Sequence, residues 1–173
     1  RPAGEVVIDG QEGSIGLRIT RSQYVVVDGF RIIRSRGNNG AGVQVRINSD
    51  HVTIRHCVIT TSADGIRVEN SNDVLLFNNL IHDNANRGIR ISNGAQRARI
   101  INNTIVGNAN RGIAIGGANA DNQAPTGATV RNTIVQDNSN VSISIEEGPP
   151  SALVGYSGNF NLVFYPALAD QTK

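Results

Sequence analysis

Three arginines, Arg18, Arg67 and Arg90, and one glutamine, Gln44, hold the same place in a recurring pentad of the form Gly, apolar, polar, apolar, polar. The pentads are Gly16-Leu17-Arg18-Ile19-Thr20, Gly42-Val43-Gln44-Val45-Arg46, Gly65-Ile66-Arg67-Val68-Glu69, Gly88-Ile89-Arg90-Ile91-Ser92 and Gly112-Ile113-Ala114-Ile115-Gly116. With Leu17, Val43, Ile66, Ile89 and Ile113 turned inward, Arg18, Gln44, Arg67, Arg90 and Ala114 face outward as one row. Guanidinium groups at the strand spacing of about 4.8 Å suit bidentate bonding to the carboxylates of an acidic polysaccharide, which makes Arg18, Gln44, Arg67 and Arg90 the candidate glycan-binding residues. The competing reading is that outward strand positions need polar side chains, and arginine stems cover a sheet while their charge stays in water. In the neighbouring row Arg46 and Glu69 are expected to pair, a contact worth little at a surface.

Other reactive residues form no constellation. His82 and Asp83 are adjacent, so within a strand they point to opposite faces and do not act on one substrate atom. His56 falls at a bend and His51 in a loop, and no two histidines are placed to share a metal. Cys57 is the single cysteine, which excludes an internal disulfide and reads as a small buried hydrophobe. The only lysine is Lys173, so no lysine serves chemistry in the body of the chain. No catalytic residue, no metal and no cofactor is assigned, and no ligand spacing selects calcium.

The elements that carry these residues repeat. A second family of segments runs Val25 to Ile32, Val52 to Ile59, Val74 to Ile81, Ala98 to Ile105 and Ala128 to Val135, alternating with the pentads. The hexamer Asn84-Ala85-Asn86-Arg87-Gly88-Ile89 returns as Asn108-Ala109-Asn110-Arg111-Gly112-Ile113 and fixes the register of neighbouring units. Each segment is short and alternates apolar with polar, which is the strand period. Strands recurring so closely leave no room for the crossover helices of a βαβ fold, so the architecture is an all-β parallel solenoid of about seven coils, three short strands in each. Residues 1–173 form one such domain.

Between the second and third strands the coil must bend, and the aligned residues there are Gly29, His56, Asn78, Asn102 and Asn132, types that tolerate positive φ. The next position holds Asn79 and Asn103, with Thr133 after them. Asn78, Asn79, Asn102, Asn103 and Asn132 are expected to form a structural ladder, stacked amides bonding one another and the bend backbone.

Asp64-Gly65-Ile66-Arg67-Val68, Leu76-Phe77-Asn78-Asn79-Leu80-Ile81-His82-Asp83-Asn84 and Ile100-Ile101-Asn102-Asn103-Thr104-Ile105 resemble the framework of right-handed parallel β-helix repeat proteins. That superfamily contains pectate lyases, alginate lyases and epimerases, phage tailspikes and surface adhesins. The resemblance covers nearly the whole chain and implies the fold; the matching positions are framework positions and carry no chemistry. The Asp-Pro-His-Glu motif of the epimerases is absent. Asp64 aligns with Arg87 and Arg111 in the next coils, so the acidic cluster with which pectate lyases hold calcium does not form, and a Lys–Arg lyase pair lacks its lysine.

Sixteen basic and fourteen acidic residues leave a net charge of +2, too little to require a nucleic acid partner. No apolar run is long enough for membrane insertion. A chain that starts at Arg1 and has no Met reads as a mature extracellular or cell-surface protein. Aromatic residues make up only 4%, which argues against a stacking glycan groove. The strand-like Val6-Val7-Ile8-Asp9-Gly10 leaves no space for a cap at the start, and Leu162 to Leu168 is apolar at the end, so the chain reads as a fragment or as a subunit whose ends meet other copies. Leu75, Phe77, Ile101, Val58, Leu80 and Ile134 are expected to face outward as an apolar self-association surface. The leading expectation is therefore an extracellular structural β-helix, a homo-oligomer or homopolymer that can build filaments. The alternative is a carbohydrate-active β-helix, a lyase, epimerase or binding domain, acting on an acidic polysaccharide.

Overall fold

A computed structural model describes residues 6–117, 123–145 and 154–163. The alternation of the repeats becomes three parallel sheets. Sheet 1 contains β1 (Val6–Asp9), β4 (Phe30–Ile33), β7 (Val58–Thr60), β10 (Leu80–His82), β13 (Thr104–Val106), β16 (Ile134–Gln136) and β19 (Leu162–Val163). Sheet 2 contains the pentads: β2 (Ile15–Thr20), β5 (Ala41–Arg46), β8 (Asp64–Glu69), β11 (Ile89–Ser92), β14 (Arg111–Ile115) and β17 (Val141–Ile145). Sheet 3 contains β3 (Val26–Asp28), β6 (Thr53–Arg55), β9 (Leu75–Phe77), β12 (Arg99–Ile101), β15 (Thr129–Arg131) and β18 (Ser157–Asn159). The described strands thus complete six coils and begin a seventh.

Every third strand in sequence is a neighbour in space, so each inward position becomes a column of like residues. On sheet 1, Ile32, Ile59, Ile81 and Ile105 are in register and fully buried. On sheet 2, Val43, Ile66, Ile89 and Ile113 do the same, and on sheet 3 Ile54, Leu76, Ile100 and Val130. β-branched residues suit a sheet whose neighbours repeat their shape. The pentad glycine has a packing cause: a Cβ on Gly88 would lie 2.5 Å from Ile105 Cγ2 and 2.7 Å from the Gly112 carbonyl. At Gly88 the corner between sheets 1 and 2 leaves no room for a side chain, while Ser142 holds the corresponding place beside Gly112 in the sixth coil.

Polar ladders hold the corners. Asn79 and Asn103 are almost fully buried; Asn79 donates its amide to Ile54 O at 2.9 Å and to Asn103 Oδ1 at 3.0 Å. Thr133 and Asn161 continue the column. Asn78, Asn102 and Asn132 have positive φ of 54°, 56° and 49°, but their side chains are exposed, so they shape the bend and stand outside the side-chain ladder. Left-handed backbone turns the bend residue outward and the following one inward. A second ladder, at the corner of sheets 1 and 2, runs Ser35, Ser62, Asn84, Asn108 and Asn138, all buried. Ser49 and Ser71 begin a third at the remaining corner.

Candidate functional site

The outward row of sheet 2 is in register as Arg18, Gln44, Arg67, Arg90, Ala114 and Ser144. Its members nevertheless differ in what they offer a ligand. Arg18 is exposed and donates from Nε to Gln44 Oε1 at 3.0 Å, while Gln44 donates to Glu69 Oε2 at 3.0 Å and is only 4% exposed. Arg67 is 6% exposed and fully engaged: Nε and Nη2 reach Asp64 Oδ2 at 3.1 and 2.7 Å, and Nη1 bonds the Asn39 carbonyl at 2.9 Å. The 35–40 connection therefore lies over the row at Arg67. Arg90 is half-buried, and its side chain makes no hydrogen bond or ion pair among the described residues. Burial, then the Arg87 and Arg67 charges, push its pKa below the usual guanidinium value.

An open cleft of about 470 Å³ lies on this face, walled by Asn38 and Asn39 and floored by Arg18, Gln44, Arg46, Arg67, Glu69 and Arg90. Four guanidinium groups meet one carboxylate there. Arg46 and Glu69 are register partners but form no ion pair; Glu69 is taken by Gln44 and by Asn93 at 3.4 Å, and Arg46 Nε is buried without a partner. Two short amides reach the Glu69 carboxylate more directly than the long arginine beside it.

Asp64 is the residue that sequence reasoning set aside. It is fully buried, accepts from Arg67 and from the Arg87 backbone N–H at 3.2 Å, and lies 3.6 Å from Arg87 Nη1. In the sequence its alignment with Arg87 argues against an acidic cluster. The same alignment was the signal of a buried ion pair, because register neighbours on a solenoid touch.

His82 and Asp83 also differ from expectation. His82 Nδ1 lies 2.8 Å from Asp83 Oδ2, because Asp83 follows the end of β10 with φ of 51° and swings its carboxylate back. The two-face rule holds only inside a strand. His56 Nδ1 lies 2.9 Å from Asp28 Oδ1, and Arg55 donates to the other oxygen at 2.9 Å. His82 is half-buried and His56 exposed, and both pairs lie away from sheet 2. Among the described residues no cluster of three or more His, Cys, Asp or Glu could hold a metal.

The outward apolar residues occupy two short runs. Phe77 and Ile101 are register partners and half-buried, with Leu75 on the same face, and Arg55 and Arg131 bound the run at both ends. Around the bend, Val58, Leu80, Thr104, Ile134 and Leu162 form one row, in which Leu80 and Ile134 are each 38% exposed and Leu162 52%.

The family model for the right handed beta helix region matches residues 6–155. The chain belongs to this β-helix family. Among curated proteins none matches it in sequence. The solved structures similar to this β-helix include the periplasmic alginate epimerase AlgG, at 18% identity and a TM-score of 0.68, over 91% of this chain and 37% of that one. The A-module of the mannuronan C-5 epimerase AlgE6 from Azotobacter vinelandii is similar at 17% identity and a TM-score of 0.64, over 89% of this chain and 49% of that one. The β-helix thus spans less than half the length of either, and at such identity the likeness is one of fold. No helix among the described residues is long and apolar enough to cross a membrane.

Proposed function

We propose that this β-helix is a carbohydrate-active domain that binds an acidic polysaccharide along the outer face of sheet 2, in an extracytoplasmic setting. The observation that carries the reading is the open cleft in which Arg18, Arg46, Arg67 and Arg90 face the single carboxylate of Glu69. Asp64 neutralises Arg67, so the charge available to a ligand comes from Arg18, Arg46 and Arg90. Their outward rows advance by one coil at a time, which lets a chain of uronates lie along the solenoid axis. The likeness to epimerases of alginate and mannuronan, one of them periplasmic, supports this choice of ligand and setting. Retardation in gels cast with alginate or polygalacturonate, and none in gels of a neutral glucan, is the expected result; equal mobility in all of them would sink the proposal.

A second reading, self-association of the β-helix into an extracellular homo-oligomer or filament, is favoured by the exposed row of Leu80, Ile134 and Leu162. Three large apolar side chains in one row on a flat sheet suit a matching surface. Sedimentation across a concentration series separates the readings, since a monomer at high concentration contradicts this second one.

A further inference from the structure

Beside the open cleft, the same face of sheet 2 sinks into a notch of about 40 Å³ ringed by Arg87, Arg90 and Arg111. The sequence dictates its shape. Arg67 and Arg90 stand high in the outward row, whereas Ala114 and Ser144 follow them in register and are short, so the sheet surface drops after Arg90. Gly117 closes the rim, its α-carbon carrying no side chain where Arg90 Nη2 approaches.

Among the described residues, two of the three guanidinium groups have no acceptor. Arg90 and Arg111 make no side-chain hydrogen bond or ion pair among the described residues, and Arg111 Nε is buried without an acceptor. Among the described residues Asp64 approaches Arg87 at 3.6 Å but is already committed to Arg67. Like charges gathered and partly desolvated without an acceptor cost free energy, which an anion entering the notch would recover. Burial and the neighbouring arginines disfavour the charged form of Arg90, in line with that cost.

The lining of the notch limits the ligand. Guanidinium-bearing residues surround a short floor of Ala114, Gly116 and Ser144, a setting suited to a compact oxyanion such as a carboxylate or a sulfate group. Arg90 lines both the notch and the open cleft, so a group seated in the notch leaves its sugar in the cleft. The geometry points to an oxyanion subsite, in which Arg87, Arg90 and Arg111 seat one carboxylate or sulfate ester of a bound glycan. The glycan as the source of that oxyanion rests on the proposed function; the oxyanion chemistry of the notch does not.

The test uses the full chain with Arg90→Gln, Arg111→Gln and the double variant, and Arg99→Gln on sheet 3 as the control. Glutamine is already tolerated in the row at Gln44. Calorimetric titration with a mannuronate oligomer and with a sulfated oligosaccharide of equal length is expected to show each notch variant weakened roughly tenfold or more, with the control unchanged. The oligomer that loses more identifies which oxyanion the notch prefers. If the wild type binds either oligomer and the notch variants bind it equally well, the notch proposal is overturned while the proposed function stands. If the wild type binds neither oligomer, the proposed function fails and the notch is judged on small anions alone. Thermal melting in sodium sulfate and in sodium acetate, against sodium chloride of equal ionic strength, should then raise the wild-type midpoint more than that of the double variant, whose shift reports the general salt effect; equal shifts for both proteins overturn the notch.

Discussion

The Arg67 guanidinium places Nη2 2.7 Å and Nε 3.1 Å from a single oxygen of Asp64, in a position that solvent does not reach. This contact removes the central arginine of the outward row from ligand binding. It also ties two coils together, since the other Asp64 oxygen accepts the Arg87 backbone N–H. Removing one member leaves a buried charge uncompensated, so Asp64→Ala should lower stability by about 3–5 kcal/mol in urea denaturation. The double variant Asp64→Ala, Arg67→Met should recover part of that loss, because the orphaned guanidinium is gone; a double variant as unstable as the single one would contradict the assignment.

Neighbouring asparagines at the sheet 3 to sheet 1 bend should respond differently. Asn103 bonds Leu76 O at 2.9 Å inside the coil, so Asn103→Ala leaves buried backbone acceptors unpaired at a cost of about 1–3 kcal/mol. Asn102 is exposed with φ of 56°, so Asn102→Gly should be neutral within a few tenths of a kcal/mol, and Asn102→Val clearly destabilising. Denaturant midpoints of the three variants check the contrast.

Three aspartates, Asp9 and Asp28 exposed and Asp73 half-buried, link coils through arginines, and acid should loosen them together. The Arg34 hydrogen bond, then the Gln11 backbone bond, lower the pKa of Asp9; His56 and then Arg55 lower that of Asp28; Arg97 lowers that of Asp73. A folded-state pKa below the unfolded one gives stability that is fully present above the ordinary value of 3.8 and lost as pH falls through the depressed values. Unfolding midpoints measured from pH 6 down to pH 2 should fall chiefly at the acid end, and Asp73→Asn should flatten that fall.

Cys57 is 1% exposed, and burial is the first cause that pushes its thiol above the ordinary pKa. The native protein should therefore resist a thiol reagent at neutral pH and react stoichiometrically in denaturant. Rapid labelling of the folded chain would show that the coil opens at this bend.

The sequence made the solenoid legible because every outward or inward position is repeated in register, so Leu17, Val43 and Ile66 report one column three times. The positive φ at Asn78, Asn102 and Asn132 was legible for the same reason. The second ladder was not legible from the turn chemistry, although its signal lies in the repeated hexamer: Asn84 and Asn108 open it one coil apart, and each amide bonds the next coil. The Arg row was legible as a row, but its availability was not. Whether Arg67 meets a ligand depends on Asp64, three residues earlier on the same strand, and on the Asn39 carbonyl in a connection of the previous coil. His82 with Asp83 failed on local backbone geometry, since the alternation rule ends where the strand ends.

The most direct test of the account is a calorimetric titration of the protein with a mannuronate oligomer at low and at high salt, beside a neutral oligomer of equal length. The account predicts binding to the uronate alone, weakening steeply as salt screens the exposed arginines. Equal binding of both oligomers, or of neither, would contradict the reading of sheet 2 as an acidic glycan surface.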